Sequence, residues 1–205
     1  MIDWLNQTIA LYKIITTPLE ILGFLTGAIC VYLNTRQNVF GWFFGIINGV
    51  LYSVVFWQAR LYADMGLQMY YFVTSIYGWW LWLYGGKSHD GVQVSHTPAR
   101  LYAIFAAIFI IGTLSWGFLL GRFTNASLTY ADSALTIASL IAQWMMARKY
   151  LENWVIWIVA DTFYVGMYFY KDLHLTAILY AVFTALAIMG YIQWKRDISH
   201  QISKV

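Results

Sequence analysis

Asp161 is the one charged residue in an otherwise apolar stretch from Asn153 to Tyr170. Trp157, Asp161, Tyr164 and Tyr168 follow one another at intervals of four, three and four positions, the spacing of one helical face. A carboxylate walled by aromatic rings suits a delocalised organic cation, because ring faces attract positive charge and the carboxylate supplies the counter-ion. The bland reading of such a stripe is packing, or a belt of aromatics at a membrane surface, and Trp42, Trp154 and Trp194 near the ends of apolar runs are assigned to such belts. For Trp157 both readings stand. The structural alternative for Asp161 is a protonated acid bonded to a neighbouring helix.

Neutral polar groups fall on other helical faces. Asn48 and Tyr52 lie four apart, Gln68, Tyr71 and Ser75 share a stripe, and Thr136, Ser139 and Gln143 follow Asp132 along another. Such amides and hydroxyls can bond the polar groups of a ligand, or can bond one another as glue between membrane helices. Gly23, Gly27 and Cys30 make one face suited to close helix packing.

No catalytic constellation accompanies these residues. Lys13, Lys87, Lys149, Lys171, Lys195 and Lys204 all lie at the ends of apolar runs or between them, which excludes a retinal Schiff base. His89, His96, His174 and His200 are scattered, so neither a zinc protease nor a serine hydrolase at membrane depth can be assembled. No metal or cofactor is expected, and no enzyme.

The elements that carry these side chains follow from composition. Of 205 residues, 61% are hydrophobic and only 10% charged, against about 25% charged in ordinary soluble domains. Runs free of Asp, Glu, Lys and Arg extend from Ile21 to Thr35, Gln37 to Ala59, Met65 to Gly86, Leu101 to Gly121, Ser133 to Ala147 and Leu173 to Trp194. Each crosses or nearly crosses a bilayer, and with the Asp161 stretch they make seven spans of an all-α integral membrane protein. Asp161 then lies about 12 Å along its helix, near the midplane. An acid there costs about 2.5 to 3.5 kcal/mol on insertion scales, so an interior position with a partner is expected. The single cysteine, Cys30, excludes a disulfide within the chain, and a net charge of +3 dispersed over loops speaks against nucleic acid as a partner. The opening residues are too polar for a removable signal peptide, and Leu5, Ile9 and Tyr12 are read as an interfacial face.

Seven spans put the termini on opposite sides. Lys13, Arg60, Arg122 and Lys171 fall on the N-terminal side, while Arg36, Lys87, Arg100, Arg148, Lys149, Lys195, Arg196 and Lys204 fall on the other. The positive-inside rule places the C-terminus in the cytoplasm and the N-terminus outside.

The chain also repeats itself at an offset of 112 residues without a gap: Thr17-x-x-Glu20 meets Thr129-x-x-Asp132, and Arg36 meets Arg148. Trp42 meets Trp154, Ile46 meets Ile158, Tyr52 meets Tyr164, Leu61 meets Leu173, Leu67 meets Leu179, Gly78 meets Gly190 and Trp82 meets Trp194. The two Thr-x-x-acid pairs read as capping boxes, with Pro18 at a first helical position. The helix from Leu101 to Gly121 has no partner in this register, which gives a three-one-three arrangement. The divisions are an N-terminal interfacial segment over 1–16, a first three-helix repeat over 17–86, and loops with a linker helix over 87–128. A second repeat over 129–196 and a cytoplasmic tail over 197–205 complete the chain. An odd linker makes the repeats parallel, a plan in which transporters hold substrate between the repeats near the midplane and rock.

The runs Leu61-Tyr-Ala-Asp-Met-Gly-Leu-Gln68, Tyr77-Gly-Trp-Trp80, Ala147-Arg-Lys-Tyr-Leu-Glu-Asn-Trp154 and Trp157-Ile-Val-Ala-Asp161 resemble the PnuC family of vitamin transporters, over nearly the whole chain. The resemblance implies facilitated diffusion of nicotinamide riboside or, in the thiamine branch called PnuT, of thiamine. It also implies trapping by a cytoplasmic kinase, a fold like that of SWEET sugar transporters, a homotrimer, and a bacterial inner-membrane location. It raises Gln68 and Asp161 most among the candidates, since both stand within its motifs. Nicotinamide riboside members carry Asn at the end of the Trp-x-x-x-Asn motif, where this chain has Asp161. A carboxylate strengthens attraction to a cation and accepts from an exocyclic amine, which thiamine has; Asn matches a carboxamide by donating and accepting. Thiamine is therefore the expected substrate of the two. A sugar transporter of the same fold, or a membrane subunit that binds a ligand without moving it, are the rival readings.

Overall fold

The computed structural model describes residues 9–11, 14–16, 18–58, 62–86, 89–123, 129–170 and 174–203. Seven helices dominate them: α1 (Pro18–Thr35), α2 (Phe40–Gln58), α3 (Tyr62–Tyr84), α4 (Ala99–Phe123), α5 (Thr129–Ala147), α6 (Asn153–Tyr170) and α7 (His174–Ile202). They run from 18 to 29 residues, against the roughly 20 that a bilayer core requires. By length and composition alone α2, α4 and the Ala177–Gln201 part of α7 suffice to cross a membrane, and Ile21–Thr35 is a shorter apolar stretch. Large apolar side chains face outward on α1, α2, α3, α4, α6 and α7, Leu25, Val73, Ile111, Phe118, Phe163 and Ile178 among them. That surface belongs to an all-α integral membrane protein whose solvent is lipid.

Pro18 opens α1, where its missing N–H is one of the donors that a helix start leaves idle. Thr17, and the side chain of Glu20, lie outside the described residues. In the second copy the helix already begins at Thr129, with Asp132 in its first turn and the Ser133 hydroxyl donating to the Thr129 carbonyl at 2.6 Å. Ahead of α1, Ile9–Leu11 (β1) and Ile14–Thr16 (β2) pair antiparallel, Ile9 opposite Thr16. The β-branched run Ile14-Ile15-Thr16 favours that extended form, while Leu5 and Tyr12 lie outside the described residues. At the other end α7 continues through Ile202, so residues 197–202 are helical.

The chain divides into two compact units, Met1–Gly91 and Val92–Val205. In the first, α2 packs against both α1 and α3. In the second, α5 lies between α4 and α6, and α6 packs on α7. Buried Ser133, Ser139, Ile141, Ala142, Met145, Met146 and Ala147 make α5 the most enclosed helix of that unit. The helix from Ala99 to Phe123 thus packs with the second three-helix set, Gly112 lying against Ile137 and Gly117 against the Tyr130 ring.

Each unit has the same keystone. Trp42, fully buried, meets Trp82 edge-on at 5.2 Å, and Trp154 meets Trp194 at 5.3 Å. A Cβ on Gly78 would come within 2.6 Å of the Trp42 ring, and one on Gly190 within 2.5 Å of Trp154. The three tryptophans read as belt residues, Trp42, Trp154 and Trp194, are therefore core, each exposed by 1% or less. Helix ends match as well: Gln37 (φ 53°) and Lys149 (φ 52°) take the left-handed conformation that closes a helix C-terminus. Arg36 lies over Tyr32 at 6.0 Å and Arg148 over Trp144 at 5.0 Å. Every one of these pairs of features is spaced by 112 residues.

Candidate functional site

α6 places Trp157, Asp161 and Tyr164 on successive turns. The Asp161 side chain is buried, with 6% exposure, and among the described residues no hydrogen bond or ion pair reaches its carboxylate. Trp157 and Tyr164 are half-buried beside it in the helix. The Tyr164 ring lies 4.7 Å from that of Tyr180 on α7, tilted by 32°, and Tyr180 in turn touches Phe183 at 6.1 Å. Tyr168 belongs to α6, but its side chain lies outside the described residues. Gln143 on α5 is half-buried, as is Thr136, while Ser139 is buried.

The first unit uses its polar groups differently. The Asn48 amide donates to the Gly23 carbonyl at 2.5 Å and to the Thr26 hydroxyl at 3.2 Å, tying α2 to α1. Tyr52 lies over Gly23, where an added Cβ would come within 2.9 Å of its ring, and stacks on Phe56 at 5.8 Å. On α3, Tyr71 meets the Tyr70 ring at 6.1 Å. Gln68 is half-buried, and its Oε1 is fully enclosed with no hydrogen-bond partner among the described residues. A buried amide oxygen without a partner costs about 1 to 3 kcal/mol, which a ligand donor would relieve.

Between α2 and α3 runs an open, apolar groove of about 370 Å³, lined by Val50, Val54, Trp57, Met65 and Met69 among others. None of the sequence-predicted site residues lines it. Tyr180 was not anticipated, although it stands 112 residues beyond Gln68 and the repeat offset pointed to it. Also unforeseen is a cluster at the end of α5. Glu152 accepts from His96 Nδ1 at 2.7 Å, from the Thr97 amide at 2.9 Å and from the Thr97 hydroxyl at 2.7 Å. Among the described residues no group of three or more His, Cys, Asp or Glu gathers to hold a metal ion.

An aromatic face carrying one buried acid, with no hydrogen bond or ion pair to it among the described residues, is what these elements present. Residues 17–196 match the model of the family described as nicotinamide mononucleotide transporter. The nicotinamide riboside transporter PnuC of Escherichia coli is 24% identical over 201 residues, spanning 86% of this chain and 84% of the relative. The riboflavin/roseoflavin transporter RibM of Streptomyces davaonensis is 23% identical over 196 residues, spanning 94% and 92%. The crystal structure of the vitamin B3 transporter PnuC has a similar fold, with a TM-score of 0.69 at 23% identity, covering 89% of this chain and 82% of that one.

Proposed function

The chain belongs to the nicotinamide mononucleotide transporter family, and from that premise we propose that it carries a small cationic vitamin across the bacterial inner membrane, thiamine ahead of nicotinamide riboside. The observation that carries this reading is Asp161, buried at 6% exposure on one face with Trp157 and Tyr164 and met by no partner among the described residues. A desolvated carboxylate needs a compensating charge, and both vitamins bring a fixed positive charge on an aromatic ring. Thiamine adds an exocyclic amine that a carboxylate accepts from. Riboflavin, named for one relative, is uncharged and would leave that carboxylate uncompensated.

Transport is proposed as uncoupled facilitated diffusion, with a cytoplasmic kinase trapping the product and the protein a homotrimer with its C-terminus in the cytoplasm. One membrane acid supplies neither a proton relay nor a sodium site, which supports the uncoupled form. No chemical step is assigned to the chain.

The test is calorimetric titration of purified protein in detergent with thiamine, nicotinamide riboside and riboflavin in turn. Tight binding of thiamine alone is the expected result. Binding of nicotinamide riboside alone would overturn the role given to Asp161 in choosing the substrate; binding of riboflavin alone would overturn the cationic class.

A further inference from the structure

Residues 112 apart occupy the same register but carry different chemistry. Gly45, Gly49, Tyr52, Gln68 and Phe72 in the first unit correspond to Trp157, Asp161, Tyr164, Tyr180 and Thr184 in the second. In the first unit position 49 faces α3: a Cβ there would lie 3.3 Å from Phe72 Cβ and 3.5 Å from the Gln68 carbonyl. Position 45 is as tightly enclosed, a Cβ meeting Ser75 Oγ at 2.9 Å and Cys30 Sγ at 3.3 Å. The α2–α3 seam is thus closed on glycine at both positions. The α6–α7 seam keeps the same register, since Trp154, Gly190 and Trp194 repeat the packing of Trp42, Gly78 and Trp82. Position 161 accordingly addresses α7 between residues 180 and 184.

A second difference frees the aromatic ring. Tyr52 needs Gly23 beneath it, but the corresponding residue on α5 is Leu135. Asn48 needs the Gly23 carbonyl and Thr26, whereas the second unit has Ala160 and Ala138 at the Asn48 and Thr26 registers. The lock between α1 and α2 therefore has no counterpart between α5 and α6, and Tyr164 turns to α7 and pairs with Tyr180.

We infer that α7 completes the cation site within the second unit: Tyr180 forms the aromatic wall opposite Asp161 and Thr184 offers an acceptor beside it, a deepening that rests on the transporter reading above. The Thr184 hydroxyl donates to the Tyr180 carbonyl at 2.9 Å, so it presents lone pairs rather than a proton. Aromatic ring, carboxylate and hydroxyl oxygen together fit a flat cation bearing an amine.

The experiment is titration of the full chain and its variants with thiamine and nicotinamide riboside. Tyr180→Ala should lose about tenfold or more in affinity, Thr184→Val about threefold, and Tyr180→Phe less than threefold because the ring remains. Val182→Ala, on an outward position of α7, should bind as the parent does. Parent-like binding by Tyr180→Ala alongside weakened binding by Asp161→Asn would overturn the α7 assignment and leave the transporter reading intact. Absence of binding of either vitamin by the parent would overturn both. Because Tyr180→Ala could fail to fold, Tyr180→Cys in a Cys30→Ala background provides a second measurement, Cys30 being the one native cysteine. Vitamin should slow its maleimide labelling; equal rates with and without vitamin would overturn the assignment.

Discussion

Glu152 holds Thr97 at two points, accepting from its amide at 2.9 Å and its hydroxyl at 2.7 Å through one carboxylate oxygen, while the other oxygen takes the His96 contact at 2.7 Å. The backbone reinforces the pair: Ser95 N donates to the Lys149 carbonyl at 3.1 Å, and Leu151 N to the Ser95 carbonyl at 2.9 Å. With Val94 and Leu151 each 2% exposed beneath, the stretch leading into α4 is fastened to the corner between α5 and α6. That corner sets where α6, and so Asp161, begins.

Acid should loosen this fastening. Burial alone would raise the Glu152 carboxyl, but the hydrogen bonds from His96 and Thr97 outweigh it and hold the group below its ordinary value of 4.5. A depressed folded-state value contributes stability that is complete above the unfolded value and is lost as pH falls through the folded one. Glu152→Gln should lower stability at neutral pH by about 1 to 3 kcal/mol and flatten the acid limb of a melting-temperature profile in detergent. An unchanged acid limb would remove Glu152 from this role.

Lys149 should give a second rise of stability with pH, at the alkaline end. It is 8% exposed at the same corner, and burial pushes its ammonium down to about 8, against a smaller upward pull from the Asp197 carboxylate. Between about 8 and the ordinary 10.5 the unfolded chain binds more protons than the folded one, so stability rises with pH over that window. Lys149→Met should abolish the rise, as read from melting temperatures at pH 8 and pH 10 against the parent. Parallel curves for the two proteins would disprove it.

The tryptophan keystones predict a contrast among glycines. Gly78→Ala and Gly190→Ala each drive a methyl into an enclosed indole, at 2.6 and 2.5 Å, and should cost about 1 to 3 kcal/mol or more. Gly66→Ala and Gly166→Ala meet nothing within 4 Å inside helices and should gain about 0.5 to 1 kcal/mol. Melting temperatures of the four variants in one detergent decide it; a fall for all four would point to the lipid-facing surface instead.

Much of this architecture was legible beforehand because bilayer thickness and the 112-residue offset constrain it strongly. Apolar run length marks the helices, and the offset pairs Trp42 with Trp154 and Gly78 with Gly190 from the residues alone. The burial of those tryptophans is not legible in the sequence, because an indole near a span end looks alike whether it faces lipid or a glycine on the next helix. The Glu152 and His96 pair was hidden by a separation of 56 residues between two short loops. Among the candidate site residues, Asp161 was legible as a lone acid, whereas Tyr180 depends on which way Tyr164 turns. At the register where Tyr52 lies over Gly23, the second unit has Leu135.

Asn48 illustrates the ambiguity of an amide in a membrane helix. Its two bonds to α1 predict that Asn48→Ala loses about 0.5 to 2 kcal/mol of stability through the α1–α2 contact. Thermal unfolding of the vitamin-free protein measures this, and the loss should shrink when Thr26→Val is already present, since both residues serve one contact. Additive losses would show that the contact is not shared.

Asp161→Asn should move stability and affinity in opposite directions. The substitution keeps the shape and removes a charge that is buried at 6% exposure with no partner among the described residues, so the vitamin-free protein should melt at the same temperature or higher. Affinity for thiamine should drop about tenfold or more, because the amide offers no counter-charge to the ring cation. A carboxylate kept only for structure would give the reverse: lower melting temperature and unchanged affinity per folded molecule. Paired calorimetric titration and thermal unfolding on the same preparation separate the two, and a simultaneous fall in melting temperature with intact affinity would remove Asp161 from the site.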